Sequence, residues 1–452
     1  MRLTFLGATN TVTGSKFLLS IENKKILVDC GLFQGLKELR LRNWTKFPID
    51  PKEIHAVILT HAHIDHTGYL PVLIKNGFTG KIYCSQATKD LCAILLPDSG
   101  YLQEEEAKFM NKHGLSKHKP AIPLYTREDA ERSLLQLHAI EFRKQIKLGE
   151  ETYMSLIPAG HILGASFIQV KNYGTTVLFS GDLGRPNDPI MHAPSVMQAA
   201  DYLILESTYG NRLHHKIDPI DELCDIINRT VERGGTIVIP AFAVGRAQHL
   251  LYCMYQLISK KRIPTVPIYL DSPMAKDATG IFRKYTELHR LDSDLSQKVC
   301  EVATYINSRE ESQALDLVTT PKIIISASGM LEGGRVLHHI RVFAQDPKNT
   351  IVFAGYQASG TRGADITNGK KEIKVFGEKI PVNAEVQVLS NMSAHADYEE
   401  ILGWLSNFNH HPRKVFITHG EPEAALSLKE KIEEQYQWPC IIPDYMQSEV
   451  LN

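Results

Sequence analysis

The sequence predicts an α/β fold in two parts, with the second part inserted into the first. Residues 1–50 alternate short strand-like runs with glycine turns, as strands joined by tight turns do. Residues 209–375 instead alternate strands with longer helical stretches, which is typical of a three-layer α/β fold. The chain then returns to its first pattern. We therefore predict one domain made of residues 1–208 and 376–452, interrupted by a second domain of residues 209–375.

Composition limits the class of protein. The 452 residues are 43% hydrophobic and 22% charged, which is ordinary for a globular protein. With 50 basic and 51 acidic residues the net charge is −1, which excludes a globally basic nucleic-acid coat but permits a local basic groove. Seven scattered cysteines without a C-x-x-C pair indicate reduced thiols. No apolar run approaches the ~20 residues of a membrane span, and no signal peptide precedes the first strand pattern, so we expect a cytoplasmic protein without a membrane partner.

Several helices are predicted from the spacing of apolar residues. We expect Ser85–Leu96 and Gly100–Lys112 to be two separate amphipathic helices. Thr126–Leu137 is expected to be a third, with Thr126 as its N-cap. In the inserted domain, residues 275–317 are expected to be largely helical.

A histidine-rich turn follows the apolar run Ala56–Leu59, which predicts a buried strand. Chance would produce such a pattern in this chain with odds of about 2 in 1000, so a surface cluster of no consequence is the weaker interpretation. Histidine nitrogens and carboxylate oxygens suit zinc, with manganese or iron as alternatives, and the set can diverge toward two metals. The candidate ligands in this turn are His61, His63, Asp65 and His66.

Polar residues at other predicted strand ends can complete this set. His161 follows the strand-like run Thr152–Ile157, and Asp182 follows Thr176–Phe179. Each alone is more often a satisfied polar residue or a turn. Together, His161 can complete one metal site and Asp182 can bridge two. Asp29, after another strand, is either a turn former or a carboxylate that orients metal-bound imidazoles.

Glycine-rich turns lie near strand ends of the inserted domain and open helices whose N-termini favour anions. Taken singly, these turns are also ordinary α/β connections. Their clustering with two arginines favours a site for an oligoanion. The candidate residues are Arg246, Ser326, Ser328, Gly329 and Arg335.

The chain resembles the metallo-β-lactamase superfamily, specifically its β-CASP branch of RNA-processing nucleases, over nearly its whole length. It is similar to ribonuclease J and the pre-mRNA 3′-end-processing endonuclease, in the compact stand-alone bacterial form. The resemblance implies an αββα sandwich interrupted by an inserted three-layer α/β β-CASP domain. The matching positions are Asp29, His61-x-His63-x-Asp65-His66, His161 and Asp182 for the superfamily motifs, and Glu206, His395 and His419 for motifs A, B and C of the branch.

The resemblance also implies roles for these residues. One zinc ion would be held by His61, His63 and His161, and a second by Asp65, His66 and His419, with Asp182 bridging; manganese is an alternative. A hydroxide between the metals would attack the scissile phosphate. His395, held by Glu206, would protonate the leaving oxygen, and Asp29 would act from behind the ligands. We thus expect the catalytic set Asp29, Asp65, Asp182, Glu206 and His395.

The expected function is that of a zinc-dependent ribonuclease acting on single-stranded RNA, as an endonuclease, a 5′-to-3′ exonuclease or both. In this branch a histidine in motif C, here His419, favours RNA, and a DNA nuclease is one alternative. A hydrolase of thioesters or lactams is another, which the inserted domain, Glu206 and His395 disfavour. A non-catalytic RNA-binding subunit is disfavoured by the intact ligand set, because buried unpaired polar groups are costly. The sequence leaves open whether the chain is a monomer or a homodimer.

Overall fold

The computed structural model describes all 452 residues and divides them into two compact units. The first unit contains Met1–Leu213 and His395–Asn452, and the second contains His214–Ala394. Strands and helices are numbered below in chain order through both units. No helix has both the length and the apolar character needed to cross a lipid bilayer.

The first unit is built on two seven-stranded sheets, with strand orders β22-β1-β2-β3-β4-β5-β6 and β21-β20-β11-β10-β9-β8-β7. Apolar side chains from both sheets, among them Phe5, Val28, Phe179 and Phe416, form one buried cluster, so the sheets pack face to face. The strands are β1 (Arg2–Phe5), β2 (Phe17–Ile21), β3 (Lys24–Val28), β4 (Ile54–Ile58), β5 (Lys81–Cys84), β6 (Leu137–Ala139), β7 (Ile146–Lys147), β8 (Thr152–Pro158), β9 (Ser166–Asn172), β10 (Thr175–Phe179), β11 (Tyr202–Glu206), β20 (Lys414–Thr418), β21 (Cys440–Ile441) and β22 (Ser448–Val450).

Helices accompany both sheets of this unit, as the predicted sandwich requires. They are α1 (Lys37–Arg42), α2 (Ile64–Thr67), α3 (Leu70–Lys75), α4 (Gln86–Lys112), α5 (Arg127–Leu134), α13 (Tyr398–Leu405) and α14 (Pro422–Tyr436), with a 3₁₀ turn at Pro51–Glu53. The α/β sandwich predicted for this part of the chain is confirmed. The two helices expected at 85–96 and 100–112 are wrong, since α4 runs through both segments and contains Pro97.

Parallel pairing brings distant strand ends to one edge of each sheet. In the first sheet β3 pairs with β4, with Val28 opposite Ile58, so the residues after both strands are neighbours. In the second sheet Phe179 lies opposite Ile204, and Ile204 opposite Phe416. The segments after β10, β11 and β20 therefore leave the sheet together.

The second unit contains a six-stranded parallel sheet of order β14-β13-β15-β12-β16-β19 and a two-stranded ribbon, β17-β18. Its central strands are apolar and fully buried, as expected of a sheet covered on both faces. The elements are α6 (Pro219–Glu232), β12 (Ile237–Pro240), α7 (Arg246–Ser259), β13 (Ile268–Asp271), α8 (Pro273–Lys284), α9 (Ser293–Cys300), β14 (Thr304–Tyr305), α10 (Arg309–Leu317), β15 (Ile323–Ser326), α11 (Val336–Phe343), β16 (Thr350–Phe353), α12 (Arg362–Thr367), β17 (Glu372–Val375), β18 (Glu378–Pro381) and β19 (Glu385–Val388), with 3₁₀ turns at Thr286–Leu288 and Ser390–Met392.

This sheet confirms the predicted inserted α/β architecture. Strands β18 and β19 fall in the segment that the sequence analysis assigned to the first domain. In the structure β18 pairs with β17, and β19 pairs with β16, opposite Thr350–Phe353. The segment expected to be helical over 275–317 contains helices α8, α9 and α10, and strand β14 separates the last two.

Candidate metal centre

The histidine-rich turn is held between a buried strand and a short helix. Strand β4 ends at Ile58, and α2 begins at Ile64 with His63 as its N-cap residue. The adjacent Asp65 and His66 lie in the first turn of α2. Gly31 packs directly on this turn: a Cβ atom there would stand 1.5 Å from the Asp65 carbonyl oxygen. A glycine is required so that the segment after β3 can approach the ligand turn.

One ligand set consists of His61, His63, His161 and Asp182, whose ligand atoms lie within 4.8 Å of one another. His63 Nδ1 lies 3.0 Å from His61 Nε2 and 3.3 Å from His161 Nε2. Asp182 Oδ2 lies 3.3 Å from His61 Nε2 and 3.4 Å from His161 Nε2. Four ligands placed roughly 2.0–2.1 Å from a common centre stand about 3.4 Å apart in a tetrahedron, so this set has the spacing of a tetrahedral metal site.

A second ligand set consists of Asp65, His66 and His419. His419 Nε2 lies 3.2 Å from His66 Nε2 and 3.4 Å from Asp65 Oδ2. The other oxygen of Asp182, Oδ1, lies 3.2 Å from His66 Nε2. Asp182 thus offers one oxygen to each set.

The electrostatics of the centre fit a cation. Burial lowers the pKa of His61 to about 3 and that of His63 to about 4, and also lowers the pKa of His161. All three are therefore neutral bases at pH 7, the form in which imidazole binds a metal. Burial alone would raise the pKa values of Asp65 and Asp182, yet neighbouring histidines keep both below their usual range, so both are carboxylates.

His66 differs from the other imidazoles. Burial alone would lower its pKa, but Asp182, Asp29 and Asp65 outweigh burial and raise it well above the usual value. Asp182 Oδ1 is buried and lies 3.2 Å from His66 Nε2, without the angles of a regular hydrogen bond. The three carboxylates that hold a proton on His66 are those of Asp29, Asp65 and Asp182. Their negative charge in a buried site also favours a metal cation. The nitrogen and oxygen donors present fit zinc, or manganese in its place.

Asp29 contacts His66 of the second ligand set on the ring nitrogen that faces away from the other ligands. It is fully buried, and Oδ1 accepts from the Thr60 N–H at 2.7 Å. Its Oδ2 accepts from Thr60 Oγ1 at 2.8 Å and lies 2.8 Å from His66 Nδ1. Contact with Nδ1 leaves Nε2 directed toward His419. Asp29 is therefore a positioning residue that acts through His66.

His395 and Glu206 form a pair beside Asp182. His395 Nδ1 lies 3.0 Å from both Glu206 carboxylate oxygens, and Nε2 lies 3.9 Å from Asp182 Oδ2. Burial alone would lower the pKa of His395, but Glu206 and Asp182 outweigh it and raise the pKa to about 9. His395 therefore carries a proton at pH 7. Glu206 is itself fixed by the Leu183 N–H, which donates to it at 2.6 Å.

Two threonines at the centre were missed by the sequence analysis. Thr60 links Asp29 to the histidine turn, and its hydroxyl lies 3.1 Å from His61 Nδ1. Thr208 Oγ1 lies 3.1 Å from His419 Nδ1, and its N–H donates to Glu206 at 3.3 Å. Both lie within two residues of a predicted site residue at a strand end, and a hydroxyl at such a position was the available signal.

The structure therefore brings all ten predicted residues of the first unit together. They are Asp29, His61, His63, Asp65, His66, His161, Asp182, Glu206, His395 and His419.

The candidate RNA-binding residues of the second unit have a different setting. The Ser326 hydroxyl is fully buried and donates to the Asp271 carbonyl oxygen at 2.8 Å. Arg335 Nη1 donates to Asp271 Oδ1 at 2.8 Å, and Arg246 is buried with Nη1 3.3 Å from His249 Nδ1. Ser328 is half-buried and Gly329 is buried in the turn after β15. The Ser326 side chain is thus buried inside this unit, whereas the Arg335 side chain pairs with Asp271 and stays 24% exposed.

Comparison with known families matches successive parts of the chain. Residues 12–214 match the metallo-beta-lactamase superfamily and residues 247–366 match the Beta-Casp domain. Residues 379–443 match the Zn-dependent metallo-hydrolase RNA specificity domain.

Named relatives cover almost the whole chain. It is 36% identical to Ribonuclease TTHA0252 of Thermus thermophilus. The alignment has 436 residues and spans 95% of each chain. The chain is 30% identical over 448 residues to an RNase J-like protein of Methanocaldococcus jannaschii, spanning 98% of this chain and 97% of that one. It is 33% identical over 460 residues to Transcription termination factor FttA of Methanosarcina mazei, spanning 96% of this chain and 69% of that one. A protein of unknown function from Enterococcus faecalis, known from its crystal structure, shares the fold, with a TM-score of 0.52 at 15% identity over 100% of this chain and 99% of that chain.

The fold, the buried donor set and these matches define a metal-binding hydrolase. The chain belongs to the metallo-β-lactamase superfamily and, within it, to the β-CASP branch.

Proposed function

We propose that this chain is a two-zinc ribonuclease that hydrolyses phosphodiester bonds of single-stranded RNA, in RNA processing or decay. The observation that carries the proposal is the sharing of Asp182 by two adjacent ligand sets, with protonated His395 beside it. Relatives named as a ribonuclease and as RNase J-like support RNA as the substrate. The match to an RNA specificity domain over residues 379–443 supports it further.

The ligand sets support two metal ions in neighbouring positions. His61, His63 and His161 would hold one ion, Asp65, His66 and His419 the other, and Asp182 both. When bound, such ions supply a hydroxide nucleophile at neutral pH and neutralise charge on a phosphate. Asp29 and Thr60 keep His66 in the orientation that ligation needs, and Thr208 does the same for His419.

His395 is suited to protonate the leaving oxygen. Its Nε2 faces Asp182 at 3.9 Å, while its Nδ1 is held by Glu206. The Glu206 carboxylate fixes the tautomer and stabilises the imidazolium until the proton is transferred. A raised pKa keeps that proton in place at pH 7.

In the second unit, contacts to RNA are proposed for Ser328, which is half-buried, and for Arg335, whose side chain is 24% exposed. Arg246, Ser326 and Gly329 are buried and enter the proposal only as residues that hold the turns beside them. The seven buried thiols, none of which is in a disulfide, support a reducing location such as the cytoplasm.

The proposal is tested with single-stranded RNA labelled at the 5′ or the 3′ end, carrying a 5′ triphosphate or monophosphate. Cleavage by the zinc-loaded protein is expected, and the products distinguish release of mononucleotides from internal cutting. His395→Gln should slow cleavage about 10²- to 10⁴-fold with zinc content unchanged. The matched control is His138→Gln, an exposed histidine of β6 in the same unit, which should cleave normally.

Three outcomes would contradict the proposal. Turnover of a thioester or lactam without RNA cleavage would assign the centre to small substrates. Cleavage of DNA in preference to RNA would assign it to the other nucleic acid. Loss of zinc in His395→Gln would make His395 a ligand and leave the proton donor unassigned.

A further inference from the structure

An exposed surface with aromatic and basic side chains lies outside the metal centre, on residues 36–46, here called the Trp44 segment. Trp44 is 54% exposed, and Leu36 and Leu41 are 42% and 54% exposed. Helix α1, which forms the first part of the segment, buries none of its residues. Because α1 contributes no side chain to the core, packing within the unit does not explain its exposed apolar groups.

The charge of the Trp44 segment is opposite to that of a nucleic-acid backbone. It contains four basic residues and one acidic residue, Glu38, in a chain whose net charge is −1. Lys37, Arg40 and Lys46 are exposed. An exposed indole among cations is the combination that binds single-stranded nucleic acid, in which bases stack on aromatic rings and phosphates pair with basic groups.

The segment is anchored on both sides of Trp44. Asn43 accepts from the Phe33 N–H at 3.0 Å and donates to the Phe33 carbonyl at 2.8 Å. The Arg42 guanidinium lies 4.4 Å from the ring centroid of Tyr445. Phe47, just beyond the segment, is buried and stacks on Tyr69 at 5.8 Å. These anchors fix the backbone on both sides of Trp44 while leaving its ring exposed, so little entropy is lost when a base stacks on it.

The anchor at Phe33 also connects the segment to the metal centre. Cys30 N–H donates to the His66 carbonyl at 2.7 Å, and Leu32 N–H donates to the Ile64 carbonyl at 3.0 Å. The chain that carries Phe33 therefore runs along the ligand turn. Hydrogen bonds from Cys30, Leu32 and Phe33 thus connect the ligand turn to the Trp44 segment within one unit.

We propose that the Trp44 segment is a binding platform for single-stranded RNA, with Trp44 stacking on a base and Lys37, Arg40 and Lys46 contacting phosphates. The identity of the ligand as RNA rests on the proposed function. A protein partner or a second copy of this chain would use the same exposed apolar groups in a different way, and the test separates these occupants.

The fluorescence of Trp44 gives a direct readout. Of the three tryptophans, Trp404 and Trp438 are each 5% exposed, so an oligonucleotide that stacks on an exposed indole quenches mainly Trp44. Binding is measured with a single-stranded oligoadenylate and the zinc-loaded His395→Gln protein, in which cleavage is slow. Quenching on binding is expected, and it should disappear in Trp44→Phe.

Substitutions at position 44 distinguish stacking from apolar docking. Trp44→Ala should weaken oligoadenylate binding about tenfold, and Trp44→Phe should retain most of the affinity because it keeps an aromatic ring. Trp44→Leu keeps apolar area but no ring, and should behave like Trp44→Ala. Arg40→Gln should reduce the slope of affinity against salt by about one.

The matched control is Tyr173→Ala in the same unit. Tyr173 is 67% exposed, and its pKa is raised first by partial burial and then by the carboxylates of Glu150, Glu22 and Glu151. An exposed aromatic in acidic surroundings should contribute nothing to RNA binding, so this variant should keep full affinity.

Unchanged affinity in Trp44→Ala would overturn the platform. Equal affinity in Trp44→Leu and Trp44→Phe would also overturn it, since that result indicates apolar contact without stacking. Conversion of a dimer to a monomer by Trp44→Ala, with RNA affinity unchanged, would assign the surface to a second copy. If the wild-type protein cleaves RNA in any of these cases, the proposed function stands and only the platform fails. If it cleaves no RNA but Trp44 is still quenched by oligoadenylate, the proposed function fails and the platform stands.

Discussion

The metal centre of the first unit and a charged cluster of the second unit contain the same residue types in opposite arrangements. In the second unit, His339 lies between two carboxylates, with Nε2 2.8 Å from Asp271 Oδ2 and Nδ1 2.6 Å from Asp316 Oδ1. Asp271 also accepts from Arg335 at 2.8 Å and from the Ser312 hydroxyl. Every ionised group in this cluster therefore faces a donor or acceptor of the complementary kind.

In the first unit, by contrast, acceptors converge. His61, His63 and His161 are neutral bases whose ring nitrogens point at one another and at Asp182. Burying such a set is costly unless a cation completes it, whereas the His339 cluster is complete as it stands. Buried histidine and aspartate thus mark a metal site only where ligand atoms converge.

Asp182→Asn is expected to have the largest effect, because it removes charge from the residue that both ligand sets share. Zinc per chain should fall, and RNA cleavage should drop at least about a thousandfold, since a two-metal site supplies several kcal/mol of stabilisation. Elemental analysis and the labelled-RNA assay measure the two effects. The matched control is Asp316→Asn in the second unit, which should keep full zinc content. Normal zinc in Asp182→Asn would refute the sharing of this residue.

Removal of metal by a chelator should affect the two units differently. A metal at a thousandfold excess over its Kd stabilises the folded state by about 4 kcal/mol. Its removal should therefore speed the hydrogen exchange of backbone amides in the histidine-rich turn. Peptides from β4 and α2 should lose protection, and peptides from β15 and α11 should not. Equal loss in both units would mean that the metal stabilises the chain as a whole and not the first unit alone.

A part of the site could be predicted when the residues that indicate it lie close together in the sequence. His61 to His66 form one short motif after a strand, so their proximity could be expected. A predicted strand end made Asp182 a candidate, whereas His419 was assigned only by the resemblance to motif C. Thr60 and Thr208 were missed because a threonine next to a ligand has no signal of its own; its role appears only when Asp29 or His419 is brought beside it.

Helix α4 shows where local signals mislead. Two helices were predicted at 85–96 and 100–112, but α4 continues through Pro97, although proline removes a helical hydrogen bond. Packing explains the glycine at position 100: a Cβ at Gly100 would lie 2.7 Å from the Thr126 carbonyl oxygen, so Gly100 allows the start of α5 to pack on α4. Likewise, the anion-site interpretation of Ser326 and Arg335 could not anticipate that Asp271, at the end of β13, would use both groups.

His339→Gln should destabilise the protein and leave the metal centre intact. Removing one partner from a buried charge pair costs about 3–5 kcal/mol, here because Asp271 and Asp316 lose their shared cation. Urea unfolding of the zinc-loaded protein measures the loss, and zinc content should stay at the wild-type value. A fall in zinc would show that the two clusters are energetically coupled.

The stability difference between wild type and His339→Gln should depend on pH, and this is the smallest expected effect. Burial alone would lower the pKa of His339, but hydrogen bonds to Asp271 and Asp316 outweigh burial and raise it above the usual value. A raised folded-state pKa contributes stability that is complete below the unfolded value of about 6.5 and is lost as pH rises through the folded value. The difference in unfolding free energy should therefore be largest near pH 6 and shrink toward pH 9. A difference that grows with pH would mean that His339 is neutral in the folded protein and that Arg335 alone balances Asp271.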